Sequence, residues 1–129
     1  MGFDQYHEPP DELPPATRTF ARLCASLTEE AEAIGWYEQR LAVEIDPVAV
    51  AIMRDAQGEE FKHFSMDLEF LLRRTPRWRE IANGILFQRS DIVEHGEEAE
   101  AEASTEGTPG IQEEATGSLG IAGLKGAVR

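Results

Sequence analysis

The chain has 129 residues, enough for one small domain, and a formal net charge of −13 that argues against nucleic acid as a partner. Its single cysteine, Cys24, excludes an intramolecular disulfide and suits a reducing cytoplasm. The start lacks the charged-then-apolar pattern of a secretory signal, and no run of roughly 18 apolar residues offers a membrane span, so a soluble chain without a membrane partner is expected.

In chain order, residues 1–15 (MGFDQYHEPPDELPP) are polar and broken by proline, and read as an irregular arm. A first helix is predicted from Ala16 to about Ile45. Asp46 and Pro47 then supply a cap and a first-turn proline, the signal that restarts a helix. The second helix runs from Pro47 to about Arg74. Thr75 and Pro76 repeat the signal and open a shorter helix ending near Gly84, after which Ile85–Phe87 is expected to pack back onto the helical pair. The helical domain thus spans 16–90. Residues 91–114 carry nine acids and no base, and 91–116 read as a disordered acidic linker ahead of a terminal segment, 117–129. The fold class is all-α.

The joint at Asp46-Pro47 is short, so the two long helices should form an antiparallel hairpin. Two helices of this size cannot bury their apolar stripes alone, which points to assembly. At 100° per residue, Phe20, Leu23, Leu27, Ile34 and Leu41 share one stripe of the first helix. Glu30 lies on its flank, with Tyr37 two turns on, while Glu29, Glu32 and Trp36 cluster on another face. On the second helix Val50, Met53, Phe61, Phe64, Leu68 and Leu71 form the apolar arc, with Glu60, His63 and Asp67 along its edge.

A carboxylate on such a flank must be paired, protonated or metal-bound. Di-iron bundles of the ferritin type use one Glu from each of two helices and a Glu-x-x-His from each of the other two. Glu30 with Glu60 and His63 is half of that inventory, so two copies related by a twofold axis would complete it. Oxygen-rich ligation with imidazole suits iron that cycles between ferrous and ferric states, and a shell without cysteine disfavours structural zinc. Taken alone, a Glu-x-x-His in a charged helix is usually a solvated face; Glu30 on the matching helix brings the metal reading level with it.

The run EEAEAIGWYEQR (29–40), followed by GEEFKH and MDLEFLLRR (58–63 and 66–74), resembles the encapsulated ferritins, two-helix ferritin-like proteins held inside bacterial encapsulin shells. The resemblance covers most of residues 17–90. It implies a dimer forming a ferritin-like four-helix bundle, five such dimers in an annular decamer, and a di-iron ferroxidase centre across the dimer interface. It further implies that Glu30, Glu60 and His63 are the catalytic iron ligands, that Tyr37 supports them, and that Trp36, Glu29 and Glu32 mark a metal entry path. Two positions depart from the family pattern: Lys62 stands where a carboxylate is common, and Gly35 where Asp usually precedes the Trp-Tyr pair. The tail GSLGIAGLKG (117–126) resembles the encapsulin cargo-loading peptide, with Leu119, Ile121 and Leu124 as anchors for the shell protein. An acidic linker before it would give the peptide reach.

The resemblance thus implies an Fe(II) oxidase that delivers iron for storage inside an encapsulin nanocompartment of the bacterial cytoplasm. A non-catalytic metal-binding or structural cargo protein of the same shell is the alternative.

Overall fold

The computed structural model describes residues 6–105, so the terminal segment with Leu119, Ile121 and Leu124 lies outside the described residues. The described residues form one 3-10 turn, Pro10–Glu12, and four α-helices with no strand: α1, Pro15–Val43; α2, Pro47–Arg74; α3, Pro76–Ile85; and α4, Ile92–Thr105. The chain divides into two compact units, one running to Leu71 and the other beginning at Leu72.

In the first unit α1 and α2 make the expected antiparallel hairpin. Pro15 opens α1, where a proline loses nothing because the first amides of a helix have no internal partner. The helix stops at Val43, two residues short of the expected Ile45, because Glu44 adopts extended backbone. Its carboxylate Oε1 accepts the amides of Ile45 and Asp46, both at 3.0 Å. Asp46 then caps α2 as predicted: its Oδ1 accepts the amide of Val48 at 2.8 Å and that of Ala49 at 3.1 Å.

The hairpin is thinly covered. Ala25 on α1 and Gln57, Leu71 and Leu72 on α2 are the buried residues of the two helices, whereas the stripe residues Phe20, Leu23, Leu27, Ile34 and Leu41 are half-buried. Phe61 and Met66 on α2 are more than half exposed. Polar Gln57 crosses to α1, donating to the Ile34 carbonyl at 3.2 Å and to Glu38 Oε2 at 2.9 Å.

The second unit corrects three expectations. Ile92–Thr105 is helical, not disordered. Asp91 opens it, accepting the Glu94 amide on Oδ1 at 3.0 Å, and the Ala- and Glu-rich sequence that reads as a linker also has high helix propensity. Ala99 and Ala103, one turn apart, are buried, and a Cβ built on Gly84 of α3 would fall 2.5 Å from that of Ala99. The absence of a side chain at Gly84 is what lets α3 and α4 approach so closely.

Secondly, Ile85–Phe87 does not fold back as a block. Phe87 is fully exposed in left-handed backbone, φ 62°, as the chain leaves α3. Ser90 follows at φ 72°, and His95 Nε2 donates to the Arg89 carbonyl at 2.6 Å, tying this turn to the first turns of α4. Thirdly, Thr75 occupies the cap position of α3 but makes no capping hydrogen bond; its hydroxyl oxygen is sealed from solvent without a partner among the described residues. The proline at the first position of α3 carries the restart instead.

Candidate metal centre

The antiparallel pairing sets the middle of α1 against the middle of α2. Glu30 extends from α1, Glu60 and His63 from α2 one helical turn apart, and the three offer ligand atoms all within 4.8 Å of one another. Among the described residues this is the group of His, Cys, Asp and Glu side chains able to hold a metal ion. All three are half-buried. His63 Nδ1 lies 3.7 Å from Glu60 Oε2, too long for a hydrogen bond yet close enough for both to grip one ion. Two carboxylates and an imidazole form an oxygen-rich donor set that fits iron, manganese or a similar divalent metal.

The electrostatics favour a cation. Burial pushes the Glu30 carboxyl up to about 7, the nearby Asp67 carboxyl adds to the rise, and so does the charge of Glu60; His63 works in the other direction. Glu30 Oε2 and Asp67 Oδ2 are both sealed from solvent and, with both carboxyls ionised, have no donor among the described residues; a proton lets the two carboxyls hydrogen-bond to each other. Carboxylate oxygens withdrawn from water and facing like charge are costly unless a proton or a metal ion joins them. Lys62 does not supply the compensating charge. Its ammonium sits 2.6 Å from Glu59 Oε2, on the exposed side of α2, and holds the Glu59 carboxyl below its ordinary range.

The other sequence-selected residues lie elsewhere on the hairpin. Glu29 and Glu32 are exposed, and Trp36, about half exposed, lines a surface groove with Gln39 and Arg40. Tyr37 is half-buried beneath the Arg40 guanidinium, 5.3 Å from its ring centre, a cation–π arrangement. Cys24 is half-buried on α1, and burial raises its thiol pKa. Gly35 and Gly58 face open space within the chain.

Two residues of this region were not selected from the sequence. Asp67 was placed on the correct flank, one turn beyond His63, but its effect on Glu30 depends on how the helices are set. Gln57 carries a weaker sequence signal: its spacing from Met53 and from Glu60 puts a polar side chain on the seam, a break in the apolar pattern.

Comparison with known proteins accords with this architecture. Residues 5–89 match the family described as EncFtn-like. A protein of Thermotoga maritima named "Ferritin-like protein" is 40% identical over 118 residues, covering 92% of this chain and 96% of the relative. An "Encapsulated ferritin-like protein" of Rhodospirillum rubrum is 35% identical over 122 residues, covering 93% of this chain and 87% of its own. The crystal structure of protein ne0167 from Nitrosomonas europaea superposes with a TM-score of 0.66 at 36% identity, covering 69% of this chain and 98% of that one.

Proposed function

The chain belongs to the EncFtn-like family, and on that premise we propose that it is a ferroxidase that oxidises Fe(II) to Fe(III), with dioxygen taking up the electrons, for storage inside an encapsulin compartment. The observation that carries the reading is the convergence of Glu30, Glu60 and His63 within 4.8 Å between two antiparallel helices. One chain supplies two carboxylates and one imidazole, half of what a di-iron centre of the ferritin type requires. A second copy related by a twofold axis supplies the other half. The same second copy would cover the apolar stripes that the hairpin leaves half-buried, so assembly and site completion are one event. The annular decamer implied by the resemblance extends that pairing.

Fe(II) is the substrate. The Glu30 and Glu60 carboxylates neutralise its charge and favour the ferric product, because hard anionic oxygens bind the more highly charged ion more strongly. His63 completes the donor set with a nitrogen. Entry of the cation displaces the proton that burial retains on Glu30 and separates its charge from those of Asp67 and Glu60. Glu29, Glu32 and Trp36, on the exposed face of α1, serve as an entry path, and Tyr37, held under Arg40, supports the centre. The name of the Rhodospirillum rubrum relative supports the compartment reading. In this reading residues 117–129 dock on the shell protein through Leu119, Ile121 and Leu124, and the assembly resides in the bacterial cytoplasm. Among the described residues no helix is long and apolar enough to cross a membrane.

The test is to load the full-length chain with Fe(II) without oxygen, then admit an oxygen pulse and follow ferric absorbance. Wild type should turn over rapidly, whereas Glu60→Ala should lose more than about a hundredfold, beyond the 10- to 100-fold typical of residues that only support a ligand. Tight Fe(II) binding with no ferric signal in wild type would identify a metal-binding cargo protein instead of an oxidase.

A further inference from the structure

Among the described residues the one buried polar side chain, set at the crossing of α1 and α2, is an amide. Gln57 is 6% exposed, and its Nε2 spends both hydrogens across the helix pair, on the Ile34 carbonyl at 3.2 Å and on Glu38 Oε2 at 2.9 Å. Its position relative to the metal ligands follows from helix geometry. Ile34 is one turn after Glu30 on α1, and Gln57 is one turn before Glu60 on α2. Because the helices run antiparallel, the Ile34–Gln57 bridge and the Glu30–Glu60 approach are adjacent rungs of one ladder.

The apolar seam around these rungs is weakly directional. Its stripe residues are half-buried and recur every turn, so sliding α2 along α1 by one turn, about 5.4 Å, replaces one set of aliphatic contacts with a similar one. Such a slide would carry Glu60 and His63 away from Glu30 and dissolve the cluster. Gln57 is not indifferent to the slide. A slide of one turn would bring another backbone carbonyl opposite the amide but would set Ile34 or Ala42 where Glu38 now stands, so the enclosed amide would lose its carboxylate acceptor, and an enclosed donor without a partner is costly. The bond to Glu38 is charge-assisted and so the stronger of the two. A single polar residue in an apolar seam is a known means of fixing helix register.

We propose that Gln57 is the positioning residue of the metal centre: by bridging to Ile34 and Glu38 it selects the one α1–α2 register in which Glu30 meets Glu60 and His63. The proposal rests on the metal-centre reading above. It assigns Gln57 no contact with the metal.

Cobalt(II), a redox-silent divalent probe, tests it on the full chain by optical titration, alongside helicity and thermal unfolding. Gln57→Leu keeps the enclosed volume but removes both hydrogen bonds. Its helicity and melting temperature should stay near wild type, while cobalt affinity falls by about 10- to 100-fold, the range for groups that hold a ligand in place. Glu38→Gln keeps an oxygen acceptor opposite Nε2 and should retain affinity within about threefold, whereas Glu38→Ala, which removes one bridge, should lose an intermediate amount. Wild-type affinity in a folded Gln57→Leu protein overturns the proposal. So does an affinity loss that tracks a fall in stability and is recovered with a stabilising osmolyte, because that assigns Gln57 to general packing. If Gln57→Leu does not fold, Glu38→Ala decides alone, and unchanged affinity there overturns the assignment. Failure of the wild-type chain itself to bind cobalt removes the metal-centre reading and this proposal with it.

Discussion

Between α1 and α2 the buried polar side chain is an amide, Gln57, with carboxylates and an imidazole one turn away; on α3 and α4 the buried side chains are the alanines Ala82, Ala99 and Ala103, with Gly84 at the closest approach. The hairpin keeps large aliphatic and aromatic groups half exposed and sets polar groups at its centre. The α3–α4 pair does the reverse, closing two short helices through the smallest side chains available. A pair that holds titratable groups at its seam and leaves its stripe uncovered has stability still to gain, from a cation and from another chain.

The contrast can be sharpened first through pH, where the largest effect lies. Glu30 is lifted from the ordinary 4.5 to about 7, so in the metal-free fold its contribution to stability is complete below about 4.5 and is lost as pH rises through about 7. Metal reverses the slope, since the ion takes the place of the proton. Cobalt affinity measured by titration from acid to neutral pH should therefore rise by about tenfold per pH unit up to about 7 and level off above it. Glu30→Gln should flatten the pH dependence of metal-free stability in that window and weaken cobalt binding. A wild-type affinity independent of pH would break the electrostatic account of the hairpin.

The α3–α4 pair should respond to volume instead. At Gly84→Ala the new methyl would arrive 2.5 Å from the Ala99 Cβ, so one helix must shift. Overpacking of this kind costs about 1–3 kcal/mol, partly offset by the gain of about 1 kcal/mol that alanine brings to a helix interior. Urea denaturation should show a net loss of up to about 2 kcal/mol, with amide exchange quickening in α4 first. Restoration by the double change Gly84→Ala with Ala99→Gly would tie the loss to that one contact.

A smaller effect is expected at the hairpin turn. Asp46→Ala removes the acceptor of the Val48 and Ala49 amides and should cost about 1 kcal/mol, read as a lower melting temperature without change in metal affinity. The smallest change has the opposite sign. Gly58→Ala meets nothing within 4 Å in the chain and should stabilise a dissociated protomer by up to about 1 kcal/mol. The same substitution measured on the assembled protein then sharpens the comparison. A loss there, beside a gain in the protomer, would mean that a second copy lies against this face of the hairpin.

The sequence by itself determined the all-α class, the second helix to its limits, the Asp46 cap, and the flank shared by Glu60 and His63, because these depend on backbone propensities and on the helical repeat. It also supplied Glu30 as the matching carboxylate. The extent of α4 was not legible: glutamate and alanine serve a solvated linker and a helix equally well, and only the closeness permitted by Gly84 gives Ala99 and Ala103 something to cover. Phe87 read as core from its hydrophobicity, yet the left-handed turn after α3 points it into solvent. The coming together of Glu30 with Glu60 and His63, the sealing of the Asp67 oxygen, and the bridge from Gln57 to Ile34 and Glu38 were decided by tertiary structure alone. Helical periodicity fixes which face a residue occupies, but it carries no information on how far one helix slides along another. In this fold that distance is marked by the Gln57 amide, which reaches the Glu38 carboxylate 19 positions away and the Ile34 carbonyl 23 positions away.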